Sequence, residues 1–145
     1  MAIAGTSEQY VFVGRYPQTA DGQVRVLVPK KWRPDGGKET FFFQVGKHDS
    51  LGKFLRVMPM EAAIRLRDKL DEVRKTTLQA DDEMRLLGGH MDSAMLDSAG
   101  RLTLPDDLIK RVGIKKTEKV VLVGCLDRFE IWRAEDFEKI SKPED

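Results

Sequence analysis

Apolar and polar positions alternate in short runs over much of this chain, and the runs are bounded by Gly, Pro and Asp. Tyr10-Val11-Phe12-Val13-Gly14 reads as a first strand, because β-branched and aromatic residues suit a pleated, half-buried surface. Thr19-Ala20-Asp21-Gly22 predicts a turn and Val24–Val28 a strand stopped by Pro29. Lys30–Arg33 has room for one helical turn before Pro34-Asp35-Gly36-Gly37 ends it. Two more strands are predicted near Thr40–Val45 and Phe54–Met58.

The period then changes from two to about three and a half. Pro59 sits where a helix favours its first residue, and Met60–Lys75 carries apolar residues at Ala63, Leu66, Leu70 and Val73, the spacing of an amphipathic helix. Asp81-Asp82-Glu83 places acids at the start of a second helix, which runs through Met84–Leu87 and is expected to end at Gly88-Gly89. Short-period patterning returns with a strand at Met91–Leu96, a turn at Asp97–Gly100 and a strand at Arg101–Leu104. Next come a short helix over Pro105–Val112, closed by Gly113, and a hairpin of Val120–Gly124 and Arg128–Trp132 turning at Leu126-Asp127. Glu135–Ile140 forms a last helix before a frayed tail, Ser141–Asp145.

The order strand, strand, short helix, strand, strand, helix therefore occurs twice. Asp21-Gly-Gln-Val-Arg25-Val-Leu-Val-Pro29 returns as Asp97-Ser-Ala-Gly100-Arg101-Leu-Thr-Leu-Pro105, with Asp, Arg and Pro each displaced by 76 residues. A repeat of this kind predicts an α+β fold of two pseudo-symmetric β-rich units, residues 10–75 and 91–140, joined by a helical connector at 76–90. A unit of about 60 residues is marginal for a core of its own, so the two are expected to share one.

Composition narrows the possibilities. Hydrophobic residues make up 41% of the 145 and charged residues 34%, which suits a folded domain with a highly charged surface. The N-terminal segment lacks the pattern of a signal peptide and no apolar run approaches a membrane span, so a soluble, membrane-free protein is expected. The single cysteine, Cys125, has no internal disulfide partner, which points to a reducing cytoplasm. Net charge is only +1, but residues 1–60 hold nine Lys and Arg against five acids. Any nucleic-acid contact is expected to lean on that basic first half.

Arg25 and Arg101 follow turns at strand starts, where a guanidinium fork can clamp a phosphate or the acceptor edge of guanine. Each Arg equally has an Asp four residues earlier, Asp21 or Asp97, which would staple the turn. Lys30, Lys31 and Arg33 form a basic cluster suited to phosphates or simply to water, and Arg15 is a further candidate contact. His48 and His90 are 42 residues apart with no ligand spacing between them, so neither a metal nor any other cofactor is expected. Cys125 reads as a buried bystander. No phosphate loop, nucleophile elbow or catalytic carboxylate pair is present, so no small-molecule substrate or enzymatic activity is expected. Phe129 and Ile131 are expected in the core, whereas Trp132 and Trp32 fit either the core or a subunit contact.

Two copies of Asp-x-x-Gly-Arg-h-x-h-Pro, where h is apolar, joined by a helical connector resemble the MraZ family, whose modules are of the AbrB/SpoVT swapped-hairpin type. The resemblance runs from about Val11 to Ile140. Its anchors are Phe12-x-Gly14, Leu86-Leu87-Gly88-Gly89-His90, Leu96-Asp97-Ser98-Ala99-Gly100-Arg101, Val123-Gly124 and Arg128-Phe129-Glu130-Ile131-Trp132. It implies a sequence-specific regulator of transcription that binds double-stranded DNA as a homo-oligomeric ring, on promoter repeats of the division and cell-wall gene cluster, in the nucleoid. It assigns Arg25 and Arg101 to DNA contact, and leaves Asp21, Asp97, Gly100, Pro29 and Pro105 as structural elements of the motif.

The first copy departs from the pattern with Val24 where the motif has Gly. A β-branched residue resists positive φ, so the turn before Arg25 is expected to differ from the one before Arg101, with Gly22 taking over the glycine's role. About ten residues precede the first strand, an extension unusual for the family and without an assigned role. The alternatives are an oligomeric scaffold that has lost DNA binding through the degenerate first motif, and an antitoxin-like partner of a toxin, which the duplication disfavours.

Overall fold

A computed structural model describes residues 11–33, 39–75 and 79–140. Tyr10, the Pro34–Gly37 breaker and the Ser141–Asp145 tail lie outside the described residues. In chain order the elements are β1 (Arg15–Thr19), β2 (Arg25–Leu27), a 3-10 turn (Lys30–Trp32), β3 (Thr40–His48), β4 (Gly52–Pro59), α1 (Met60–Arg74) and α2 (Gln79–His90). They continue with β5 (Asp92–Met95), β6 (Arg101–Thr103), α3 (Asp106–Val112), β7 (Lys119–Gly124), β8 (Phe129–Arg133) and α4 (Ala134–Ile140). The fold is α+β.

Six strands form one sheet in the order β1-β7-β8-β4-β3-β5, and β2 pairs with β6 as a separate two-stranded ribbon. Every pairing is antiparallel. At two places the chain meets itself one sequence interval apart. Val26 faces Leu102 in the ribbon and Leu55 faces Ile131 in the sheet, and both pairs are separated by 76 residues. The outer pairings also join the halves, β1 to β7 and β3 to β5.

The main apolar cluster draws on both halves, with Phe12, Val26, Val28, Trp32, Phe41, Phe43, Leu55 and Val57 packed with Leu102, Leu104, Leu108, Leu122, Phe129 and Ile131. Trp32 is fully buried within it. Its ring meets Tyr16 and Phe12 edge-on at 5.1 and 5.5 Å and lies 5.0 Å from Phe129. Its indole N–H donates to the Val13 carbonyl at 3.1 Å, so the buried polar atom is satisfied. A smaller cluster under α4 stacks Trp132 on Phe54 at 4.5 Å, beside Val121 and Phe137. Both tryptophans are therefore core residues of the protomer.

Three local expectations need correction. Val11–Gly14 supplies no strand; Phe12 makes a single bridge to Leu126, Gly14 turns the chain at φ 102°, and the strand follows at Arg15–Thr19. That segment is polar and holds Pro17, which an edge strand tolerates because one side of its backbone needs no ladder partner. Thr19 consequently belongs to β1, and the turn falls two residues later, at Asp21–Val24, where Val24 N–H donates to the Asp21 carbonyl. The second helix does not stop at Gly88-Gly89 but continues to His90. Neither glycine adopts the positive φ that ends helices, and the His90 ring lies 2.8 Å from the Leu86 carbonyl. No helix among the described residues is long and apolar enough to cross a membrane.

Candidate nucleic-acid interface

The ribbon positions both arginines of the repeated motif. Along β2 and β6 the middle residues, Val26 and Leu102, are buried, and the flanking ones are not. Successive side chains alternate between faces and directly opposed residues share one. Arg25, Leu27, Arg101 and Thr103 therefore lie on the outer face, given the pairings Arg25 to Thr103 and Leu27 to Arg101. The two arginines are diagonal neighbours, with Cα atoms about 7–8 Å apart. Gln18 ties this ribbon to the large sheet, its side chain accepting from Leu27 N–H at 2.7 Å and donating to Leu27 carbonyl at 2.8 Å.

The turn leading into each arginine is built the same way. Asp21 Oδ1 accepts from the N–H groups of Gln23 and Arg25, both at 2.9 Å, and its Oδ2 accepts from Arg25 Nε at 2.8 Å. Asp97 accepts from Ala99 and Arg101 N–H at 2.9 and 2.8 Å, and from Arg101 Nε at 3.0 Å. The N–H of Arg25 or Arg101 leads the forces that hold each carboxyl below the usual aspartate range, and its guanidinium adds to them. With Nε held by aspartate, the terminal Nη groups of each guanidinium have no partner among the described residues.

Val24 also departs from the expected geometry. It takes φ 53° where Gly100 takes 84°, so the turn is neither displaced nor relayed to Gly22, which has no positive φ. A β-branched residue in this region costs about 1–2 kcal/mol. Against that, Val24 N–H donates to Asp21 carbonyl at 3.0 Å, Leu104 N–H donates to Val24 carbonyl at 3.1 Å, and Asp21 takes its two backbone N–H groups. At about 1 kcal/mol net for each such bond, the network outweighs the strain. The Val24 side chain also packs against the main core.

The basic residues do not gather around Arg25. Because β2 pairs with β6, Val28 N–H donates to Gly100 carbonyl at 3.0 Å, so the following segment, Pro29 to Arg33, runs past the second turn. The Arg33 guanidinium lies on Gly100, in space that a Cβ would fill. Its Nη1 reaches the Ala99 carbonyl at 3.5 Å, and its buried Nε has no hydrogen-bond partner among the described residues. Lys30 is exposed at the start of the same segment. Lys31 turns away, its ammonium 5.7 Å from the centre of the Tyr16 ring. Arg15, at the far end of β1, covers the Phe137 ring at 5.2 Å and borders a cavity of about 520 Å³ between β1, β7 and α4, apart from the ribbon.

Pro29 and Pro105 have matching roles. Each is extended and immediately precedes a helical segment, the 3-10 turn or α3. Among the described residues no group of His, Cys, Asp or Glu is arranged to hold a metal ion. Cys125 is half-buried, and burial, assisted by nearby Glu130, pushes its thiol up to about 11. Such a thiol is almost entirely protonated at neutral pH and a poor nucleophile. Sequence reasoning missed Gln18, whose role depends on a pairing between distant strands, and missed Arg33's seat on Gly100. The signal for the second was present in the absence of a side chain at position 100.

A small α+β protein with an arginine-bearing ribbon laid against an antiparallel sheet is the class that these features define. A family model described as "MraZ protein, putative antitoxin-like" matches residues 88–144. Relatives named Transcriptional regulator MraZ match nearly the whole chain. That of Finegoldia magna is 30% identical over 131 residues, covering 90% of this chain and 87% of the relative. That of Clostridium tetani is 30% identical, covering 89% and 86%, and that of Leuconostoc mesenteroides 31% identical, covering 88% and 84%. The chain belongs to the MraZ family.

Proposed function

We propose that this chain is a DNA-binding regulator of transcription made of two AbrB/SpoVT-type repeats, residues 10–75 and 91–140, joined by a helical connector over 76–90 and sharing one core. The reading is carried by the outer face of the β2–β6 ribbon, which presents Arg25 and Arg101 with Nη groups that no described residue engages. A B-DNA major groove about 12 Å wide admits a two-stranded ribbon, and an arginine fork matches guanine or phosphate acceptors there. Lys30 and Arg33 add phosphate contacts beside the ribbon, and Lys31, turned toward Tyr16, and Arg15 contribute at the periphery. The names borne by the relatives support the regulatory role.

One protomer offers few contacts and binds weakly by itself. Assembly into a ring on promoter repeats of the division and cell-wall gene cluster, in the nucleoid, makes later contacts intramolecular and raises avidity. The apolar groove between α1 and α2, lined by Leu66, Leu70, Met84, Leu87 and Met91, supports an assembling surface. The scaffold alternative rested on Val24 disrupting the first motif, and the intact turn removes that reason.

Fluorescence anisotropy with duplex from upstream of the chain's own gene, against a shuffled duplex, tests the proposal. Wild type is expected to prefer the upstream duplex, and the Arg25→Ala/Arg101→Ala variant to lose that preference with its fold and oligomer intact. Equal binding of wild type and variant to both duplexes would contradict it.

A further inference from the structure

We infer that the two arginine turns bind DNA unequally: the Asp97–Arg101 turn, with Arg33 and Lys30 carried to it from the other half, is the principal contact of each protomer, and the Asp21–Arg25 turn is the minor one. The inference rests on the DNA-binding reading above and adds which part of the ribbon bears the load. By sequence the basic cluster follows Arg25 directly, so the natural assignment is to the first turn. The strand pairing reverses this.

Four observations converge. The Arg101 side chain is 42% exposed and that of Arg25 25%, so the second fork is the more accessible. Gly100 leaves space that the Arg33 guanidinium occupies, whereas the first turn has the Val24 side chain in that place. The residue 76 positions after Arg33 is Ile109, which is buried in the main core and brings no charge to the first turn. Finally, Leu104 N–H donates to Val24 carbonyl, so the segment running past the first turn begins α3 with Asp106 and Asp107, both exposed. One turn is thus flanked by Lys30 and Arg33, and the other by Asp106, which repels phosphate, and by Asp107, whose carboxylate is paired with Arg111 at 3.3 Å.

Arg33 has no carboxylate partner among the described residues. The glycine seat holds the guanidinium in place, and among the described residues its charge is unpaired. A protomer with one strong and one weak contact lies on the duplex in a defined orientation.

The test is fluorescence anisotropy of the full chain on the upstream duplex, over a range of salt, for single variants whose unfolding curves are recorded alongside. Arg101→Ala is expected to weaken binding about 10- to 100-fold, and Arg101→Lys to recover only part of it, since an ammonium lacks the fork. Arg33→Ala should weaken it about tenfold and reduce the salt slope by about one, with Arg33→Lys restoring the slope. Arg25→Ala should change affinity less than about threefold, and Asp106→Asn/Asp107→Asn should tighten binding. A loss from Arg25→Ala as large as that from Arg101→Ala overturns the inequality and leaves the DNA reading standing. Wild type that binds neither duplex at low salt overturns both.

Discussion

The two turns share one hydrogen-bond scheme but have different residues at the position of positive φ and opposite charges beside them. At Val24 the backbone adopts a conformation the side chain disfavours, because the Asp21 carboxylate and the crossing strand bind the peptide groups on either side. At Gly100 the same conformation carries no such cost, and the vacant Cβ position holds a guanidinium instead. Local hydrogen bonding thus fixes the shape of the turn. The residue at its left-handed position sets what can lie against it, and the partner strand decides which segment does so.

The largest effect expected from this comparison lies beneath the turns. Trp32 and Leu108 each follow a Pro by three residues and each is buried, but Trp32 fills far more of the shared core. Trp32→Ala should cost about 4 kcal/mol and Leu108→Ala about 3 in urea unfolding. A smaller loss for Trp32 would mean that the halves do not share one packed centre. Next come reciprocal swaps at the turns. Gly100→Val introduces left-handed strain and displaces Arg33, and should cost about 2 kcal/mol. Val24→Gly relieves that strain but gives up packing and gains chain entropy on unfolding, so its effect should stay within about 0.5 kcal/mol.

Acid should act on both turns alike. Asp21 and Asp97 have carboxyls lowered in the folded state, so their stabilisation is fully present above the unfolded value of about 3.9 and lost as pH falls through the folded values. The melting temperature should drop below about pH 4, and more shallowly in Asp21→Asn/Asp97→Asn. A similarly small change is expected from Lys31→Ala, which removes an exposed ammonium from the Tyr16 ring; a loss of about 0.5 kcal/mol by thermal melting is expected.

Much of the fold is legible in the sequence because the relevant signals are local. Asp, Arg and Pro recur at one interval, Pro59 precedes α1, and Phe129-Glu130-Ile131 of β8 alternates, with both apolar residues buried. Elements without a local signal were not legible. β1 is a polar edge strand containing Pro17, and its place is set by pairing with β7, a hundred residues on. The site divides in the same way. The Asp–Arg turns follow from four-residue spacing, whereas the approach of Arg33 to Gly100 depends on β2 meeting β6 across the two halves. The conformation of Val24 was hidden because residue preference is a weak constraint against several hydrogen bonds acting together.

The most direct test of the unequal-turn account is hydrogen-exchange mass spectrometry of the full-length protein with and without the upstream duplex. The account predicts that DNA protects peptides spanning residues 30–33 and 97–101 more than those spanning 21–25 and 106–109. Equal protection at both turns, or stronger protection over 21–25, would contradict it.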